Sequence, residues 1–379
     1  MDKIKIIHAA DLHFDTPFQD VSKEQSNINR EELKEVFLNI INFAKENSVD
    51  ILLLAGDIFD NFTVSRQTLH FLENCFDKIK NTRIFISPGN HDPYGQNSFY
   101  KLINFPSNVH IFKGKIEKVY IKELNLNVWG AGFNDKFVRD SLLNTPQYSK
   151  EQINIMVMHG DVTSGTSDYN PIRLEQIKTS GMDYIALGHV HGFSNIKKEG
   201  NTSYAYSGCP QGRGFDELND KGIIYGYVYK GSTDLSFVKT SKREYIQTSV
   251  DITDVFGYNE LREKIVQSIE GESRETNFHK IILTGEISSD FNIDLNIINQ
   301  KLSADFYYCK VVDKTTIKYD LEELSKGYSV KSIFVKKMRE KIEKEENEDQ
   351  KEILNLAFKL GILSLSDGGD VNLYDNQTN

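Results

Sequence analysis

Five of the nine histidines in this sequence come directly after short apolar runs that predict β-strands. Two aspartates and one asparagine have the same placement. The eight positions are Asp11, His13, Asp57, Asn90, His91, His159, His189 and His191. Because ligand sites of open α/β sheets form at the carboxyl ends of strands, we expect these side chains to converge.

The side chains of this set would offer a metal ion both nitrogen and oxygen ligands. Imidazole nitrogens with carboxylate and amide oxygens suit manganese, iron or zinc rather than calcium or magnesium alone. A central carboxylate can bridge two ions about 3.5–4 Å apart, and such a pair can activate a water and hold the leaving oxygen of a phosphate ester. The residue types therefore allow a pair of divalent ions, for which manganese, iron and zinc are all suitable. His91, beside Asn90, is a candidate for proton transfer near neutral pH.

The other four histidines lack this context. We interpret His8, His70, His110 and His279 as satisfied core residues, with His8 packing at a strand end. The many Phe and Tyr residues and Trp129 are likewise predicted to lie in the core rather than to stack on nucleobases.

The strand-end residues form an ordered series of motifs, in which DxH, GDxxD, GNHD, HG and GHxH each follow a strand of their own. They occupy 11–13, 56–60, 89–92, 159–160 and 188–191. The series resembles the five motifs of calcineurin-like metallophosphoesterases, over roughly the first 240 residues.

The resemblance implies a division of the ligands between two metals. One metal is held by Asp11, His13 and His191, the other by Asn90, His159 and His189, and Asp57 bridges both.

The resemblance also implies that His91 and Asp60 are catalytic without binding metal. His91 would point at the phosphate and help the leaving group depart. Asp60 and Asp92 would orient the histidines, as metal ligands generally require. Some nucleases of this superfamily carry a second catalytic histidine at the position of Asp60, whereas many bacterial relatives have aspartate there.

A narrower resemblance comes from a loop rich in Gly and Pro. The segment Tyr206–Glu217, followed by Lys221 and Gly222, is similar to the one that closes the phosphoesterase domain of SbcD- and YhaO-type DNA-repair exonucleases. On its composition alone, the segment is a loop that leads into a strand.

The elements that must position these residues indicate an α/β fold. Helical spacing in Leu33–Ala44 and Leu69–Ile79 separates the first three strands, which predicts crossover units and a mainly parallel sheet. Later strands follow one another without long helices and predict a second sheet, hence a four-layer α/β/β/α sandwich. These later strands are Leu126–Gly130, Ser203–Ser207, Gly222–Tyr229 and Leu235–Lys239.

Three regions follow from the change of pattern along the chain. Residues 1–243 are the predicted metallophosphoesterase (nuclease) domain, and 244–320 are a small α/β capping domain. Residues 321–379 are a helical C-terminal segment, with amphipathic helices at Val330–Glu343 and Ile353–Leu363. These two helices either pack on the capping domain or, as the resemblance implies, dock to a partner.

Composition indicates the cellular compartment of the protein and bears on whether it binds nucleic acid. Three widely spaced cysteines predict a reducing compartment, and the sequence shows no signal peptide and no apolar run long enough for a membrane span, so we expect a cytoplasmic protein. The 45 Lys and Arg against 55 Asp and Glu give a net charge of −10, which opposes binding to nucleic acid. A local basic patch or the metals themselves would offset this charge.

The expected function is hydrolysis of DNA by a phosphodiesterase with two divalent metal ions, an exonuclease of DNA repair. Mn²⁺ is the expected metal, with Fe or Zn as alternatives. The alternatives are the same chemistry on a small phosphodiester or phosphoprotein, and a scaffold without catalysis. The resemblance implies DNA and an SbcC-like coiled-coil ATPase as partners and allows a homodimer, with no membrane association.

Overall fold

The computed structural model describes residues 3–18, 21–60, 63–143, 148, 150–288, 291–318 and 329–365. The chain divides into two compact units, Met1–Tyr245 and Ile246–Asn379. Positions 319–328 and 366–379, which the sequence assigns to the end of the capping domain and to the helical C-terminal segment, lie outside the described residues, as does the side chain of Leu363.

The first unit contains fourteen described strands and three α-helices. In chain order they are β1 (Lys3–Ala9), α1 (Lys23–Glu46), β2 (Ile51–Leu54), α2 (Arg66–Asp77), β3 (Arg83–Ile86), β4 (Val109–Ile111), β5 (Glu117–Ile121), β6 (Leu126–Ala131), β7 (Ile153–His159), β8 (Asp161–Val162), β9 (Pro171–Ile172), α3 (Leu174–Thr179), β10 (Tyr184–Gly188), β11 (Lys197–Glu199), β12 (Thr202–Tyr206), β13 (Gly222–Tyr229) and β14 (Ser232–Lys239).

Two six-stranded sheets are the framework of this unit. The first has the order β14-β13-β1-β2-β3-β4 and the second β11-β12-β10-β7-β6-β5. Strands β1 to β4 are mutually parallel, as are β12, β10, β7 and β6. The parallel strands of each sheet therefore end at one edge.

The alternation of side chains along the strands builds the layers. In β2, Leu52 and Leu54 face a core shared with α1 and α2, whereas Ile51 and Leu53 face a core between the two sheets. The outer face of the second sheet has its own core, which includes Ile177 of α3. The order helices, sheet, sheet, helix confirms the predicted four-layer α/β/β/α sandwich.

One part of the predicted sheet assignment was wrong. The hairpin β13–β14 does not belong to the second sheet but extends the first, because β13 pairs antiparallel with β1, with His8 opposite Ile224. The second sheet instead recruits β7 and β10, which carry two of the histidine motifs. Site residues consequently come from both sheets.

The second unit is a small α/β body followed by helices. Its elements are β15 (Tyr245–Asp251), α4 (Tyr258–Gln267), α5 (Gly271–Thr276), β16 (Phe278–Thr284), β17 (Glu286–Ser288), α6 (Leu295–Leu302), β18 (Tyr308–Asp313), β19 (Thr316–Lys318), α7 (Val330–Lys344) and α8 (Glu348–Ser364). Strands β15, β16 and β18 form one sheet.

Helices α7 and α8 pack against each other and against this body. Val335 of α7 and Phe358 and Ile362 of α8 are buried together beside Ile317 of β19. Lys359 of α8 donates to Asp313 at 3.0 Å. Among the described residues, no helix is long and apolar enough to cross a membrane.

Candidate metal centre

The eight strand-end side chains converge, and they come from both sheets. Asp11 and His13 follow β1, Asp57 follows β2, and Asn90 and His91 follow β3 of the first sheet. From the second sheet, His159 ends β7, and His189 and His191 follow β10. The ring centroid of His13 lies 4.8 Å from that of His91 and 5.1 Å from that of His191, and His159 lies 5.3 Å from His189.

The backbone at these positions is held in conformations that L-residues rarely adopt. Asp11, His13, Asp57 and His189 have φ angles of +54°, +46°, +52° and +114°. Hydrogen bonds from Asp11 N to Gly56 O (3.0 Å) and from His13 N to Asp57 O (2.9 Å) tie the turns after β1 and β2 together. Such strain persists where the surrounding structure enforces it, typically at functional sites.

Two glycines allow the close approach of the turns. Gly56 has φ +91°, and a Cβ there would lie 2.5 Å from Nδ1 of His159. A Cβ on Gly89 would lie 2.2 Å from Oδ1 of Asp57. Any larger residue at either position would displace a predicted ligand.

The first ligand cluster contains Asp11, His13 and His191, whose donor atoms all lie within 4.8 Å of one another. Burial lowers the pKa of His13 to about 4, so this imidazole is neutral and able to bind a metal. Nε2 of His13 is buried and has no hydrogen-bond partner among the described residues. A buried nitrogen of this kind costs free energy unless a ligand satisfies it.

The second cluster contains Asp11, Asp57 and His159, again within 4.8 Å. Nδ1 of His159 lies 2.9 Å from the carbonyl oxygen of Ala55, so Nδ1 carries a proton and donates to it. Nε2 of the same ring lies 2.9 Å from Oδ1 of Asn90 and 3.4 Å from Oδ2 of Asp57. Nitrogen and oxygen atoms that meet in a buried space in this way can bind a cation.

Asp57, a member of the second cluster, also lies beside His13 of the first. Its Oδ2 is 3.8 Å from Nε2 of His13 and 3.4 Å from Nε2 of His159. Burial opposes ionisation of this carboxyl, but the neighbouring histidines, His159 first, outweigh it and lower its pKa. This position would allow Asp57 to contact two ions, the role that the resemblance implies for it.

Asp11 and His189 belong to the same site, with Asp11 buried and His189 partly buried. Burial raises the pKa of Asp11 to about 6, although the backbone N–H of His189 donates to its carboxylate at 3.1 Å. Burial also lowers the pKa of His189 to about 4. A buried carboxylate beside neutral imidazoles matches divalent manganese, iron or zinc, so the residues fit the predicted metals.

Asp60 connects the metal cluster to His91. Its Oδ1 lies 3.4 Å from Nδ1 of His13 and 3.1 Å from Nδ1 of His91. Although burial favours the neutral acid, hydrogen bonds from the two histidines hold the pKa of Asp60 well below its usual range. The hydrogen bond to Asp60 in turn raises the pKa of His91. His91 thus has Nδ1 beside Asp60, and its side chain is one-third exposed.

Asp92 has a different role from the one expected. Its carboxylate does not orient a histidine in the hydrogen bonds of the described residues. It accepts from the backbone N–H of Ile58 at 2.6 Å and of Gly89 at 2.7 Å, and from the Tyr100 hydroxyl at 2.5 Å. Asp92 thus fixes the Asp57 turn, and with it the position of the Asp57 carboxylate.

The four remaining histidines lie outside the clusters. His8 is buried inside β1, between the Tyr184 hydroxyl (2.9 Å) and the Leu187 carbonyl (3.1 Å), and His279 is buried in the second unit. The assignment of His70 and His110 to the core was wrong, because both lie at the surface beside Glu73 and Glu117. Their helix and strand positions face solvent.

The site was then compared with known proteins. Residues 4–193 match the family model described as calcineurin-like phosphoesterase. The chain belongs to this family.

Individual relatives of this calcineurin-like phosphoesterase were also found. It is 30% identical over 263 residues to the uncharacterized metallophosphoesterase YhaO of Bacillus subtilis. The matched region covers 66% of this chain and 64% of the relative. The DNA double-strand break repair protein Mre11 of Methanopyrus kandleri is 21% identical over 305 residues (75% and 63% covered), and that of Saccharolobus solfataricus is 23% identical over 246 residues (62% and 63%). The chain thus spans less than two thirds of the length of each relative.

Two residues of the phosphoesterase site were not recognised in the sequence. Oε1 of Glu217 lies 2.8 Å from Nδ1 of His191, and the guanidinium of Arg213 pairs with the same carboxylate. Burial alone would lower the pKa of His191, but the Glu217 carboxylate outweighs it and raises that pKa. Both residues lie in the Tyr206–Glu217 loop, where a charged pair among Gly and Pro residues is the signal that could have found them.

Proposed function

We propose that this calcineurin-like phosphoesterase is a Mn²⁺-dependent phosphodiesterase that hydrolyses DNA, as an exonuclease of cytoplasmic DNA repair. The observation that supports it best is the juxtaposition of the two ligand clusters, which share Asp11, with the Asp60–His91 pair. When bound, two divalent ions would activate a water and neutralise the phosphate. The clusters defined above would hold them, one around His13 and His191, the other around His159 and Asn90.

His91 is the proton donor in this proposal. Asp60 fixes its ring by contacting Nδ1 and favours the protonated form through its negative charge. Nε2 then delivers a proton to the oxygen that leaves phosphorus. A histidine in this role contributes about 10²–10⁴-fold to the rate.

The DNA substrate is supported by similarity to the two Mre11 proteins, which are described as DNA double-strand break repair proteins. The similarity of the Tyr206–Glu217 loop to that of SbcD- and YhaO-type nucleases also supports a DNA substrate. This loop places Glu217 and Arg213 against His191, at the predicted metal site. A site at the metals would bind the phosphodiester group itself, and it would therefore not distinguish one base sequence from another or paired from unpaired bases.

A second candidate is the same chemistry on a small phosphodiester or a phosphoprotein. The net charge of −10 favours it, because polyanionic DNA is repelled by an acidic surface. Asp60 favours it too, since some nucleases of the superfamily carry a histidine at that position.

The experiment that separates the two is a comparison of substrates with purified, Mn²⁺-loaded protein. Single- and double-stranded DNA with labelled ends are incubated beside a chromogenic phosphodiester, with His91→Ala as control. We expect both DNA and the small ester to be hydrolysed by the wild type and neither by His91→Ala. Hydrolysis of the ester alone, with no DNA bound even at low salt, would establish the second candidate.

We further propose that the hairpin of α7 and α8 docks a coiled-coil ATPase. Its inner faces are buried, but Val330, Ile333, Ile353 and Leu356 are exposed, with Val330 at 71%. Apolar side chains presented by paired helices are a common basis for helix recognition. Self-association into a homodimer is the competing use of the same surface.

A further inference from the structure

A row of aromatic rings runs from the metal centre toward solvent on the His189 side. The His189 ring lies 5.3 Å from His159, the Tyr169 ring lies 5.0 Å from His189, and the Phe137 ring lies 6.0 Å from Tyr169. All three separations are in the range of interacting rings. Phe137 is the outermost ring, and 46% of its surface is exposed.

The loop that carries Phe137 is anchored rather than loose. Val138 N donates to Asp168 O at 2.8 Å, and Asn170 N donates to Val138 O at 2.6 Å. The residues on either side of Tyr169 are therefore hydrogen-bonded to Val138, which directly follows Phe137. Asn170 also donates from Nδ2 to the carbonyl oxygen of His159 at 2.7 Å. The exposed ring is therefore held in register with a predicted metal ligand.

Two cations lie beside the exposed ring. Nζ of Lys136 is 5.6 Å and Cζ of Arg139 is 5.8 Å from its centroid. Arg139 also pairs with Asp168 at 2.7 Å, and Asp135 and Asp161 are close to the same loops. Because these acids offset the cations, the surface offers a ligand an aromatic face more than a net positive charge.

We propose that Phe137 is a stacking platform for a nucleobase of a single-stranded DNA end whose phosphodiester is bound at the metals. The proposal rests on the proposed function and specifies its substrate as unpaired DNA. An exposed aromatic ring that is joined through Tyr169 to the predicted ligand His189 matches the stacking platforms by which proteins hold single strands without regard to sequence. Phe137 is an exception to the expectation that the aromatic residues lie in the core, because its ring is exposed.

The test measures binding with Mn²⁺-loaded protein and short phosphorothioate oligo(dT), which resists hydrolysis during the titration. An abasic oligomer of equal length carries the same backbone charges without bases. We expect Phe137→Ala to bind oligo(dT) about 5- to 100-fold more weakly than the wild type. The affinity for the abasic oligomer and the hydrolysis of a chromogenic phosphodiester should stay unchanged.

Tyr120→Ala is the matched control. Tyr120 is equally exposed, at 47%, but lies in β5 opposite Asn127 of β6, at the end of the second sheet remote from the metals. This variant should bind both oligomers like the wild type. Phe137→Trp should keep the affinity and show fluorescence quenching by oligo(dT) but not by the abasic oligomer, against a constant background from buried Trp129.

The outcomes separate the two levels of the proposal. If Phe137→Ala binds oligo(dT) as tightly as the wild type, the platform is refuted while the DNA nuclease stands. Should the wild type hydrolyse the chromogenic ester and bind neither oligomer at low salt, the DNA substrate itself is refuted, and the platform with it.

Discussion

The contact between Glu217 and His191 leads to a prediction with two separable effects. Glu217 is 5% exposed, accepts from Nδ1 of His191 and balances the partly buried guanidinium of Arg213. The Glu217→Gln substitution keeps the shape of the side chain and removes its charge. It should leave the histidine less well oriented and remove the negative charge that pairs with the arginine.

The two effects differ in magnitude and in the observable that reports them. Loss of the group that orients a metal ligand lowers metal affinity by about 10- to 100-fold. Leaving Arg213 without its partner lowers the free energy of unfolding by about 3–5 kcal/mol, because its side chain is only 14% exposed and stays charged. The first effect is measured by calorimetric titration of Mn²⁺, the second by urea unfolding of metal-free protein.

A double variant, Glu217→Gln with Arg213→Met, separates them. Removing the unpaired cation should restore most of the unfolding free energy, whereas the Mn²⁺ affinity should stay low because His191 still lacks its carboxylate. If Glu217→Gln binds Mn²⁺ like the wild type, Glu217 does not position His191. If the double variant regains full metal affinity, the loss in the single variant came from misfolding around Arg213.

Three further predictions concern the site and the helices. Asp57→Asn removes a charge shared by two cations, so metal analysis should find the two ions lost while circular dichroism shows the fold intact; two retained ions with full activity would contradict the bridging role. His91→Ala should keep its metals and lose about 10²–10⁴-fold in turnover of a chromogenic phosphodiester, whereas loss of metal would make His91 a ligand. Deleting residues 330–379 should leave ester hydrolysis intact and abolish co-purification with the coiled-coil ATPase. An insoluble truncated chain would show instead that Val335 and Phe358 belong to the core of the second unit.

Much of the site could be predicted because its residues follow local patterns. Asp11 and Asp57 follow strands and His159 ends one, and parallel strands bring their carboxyl ends to one edge of a sheet. Glu217 and Arg213 lie in a loop whose path depends on contacts distant in the sequence, so no periodicity indicates that they reach His191.

The errors in the fold have the same origin. The residues of β13 have clear strand character, but which sheet a strand joins depends on the partner it meets, and here the partner is β1, more than two hundred positions earlier. For Asp92, the resemblance implied a role in orienting the histidines. Its carboxylate instead turns toward the backbone of the Asp57 turn, a direction that sequence spacing does not determine.

The most direct test of the account is anomalous diffraction from crystals grown with Mn²⁺, recorded at the manganese absorption edge. The account predicts two peaks about 3.5–4 Å apart. One should lie among Asp11, His13 and His191, the other among Asn90, His159 and His189, with Asp57 contacting both. A single peak, or peaks away from these side chains in protein that is active with Mn²⁺, would contradict the two-metal centre.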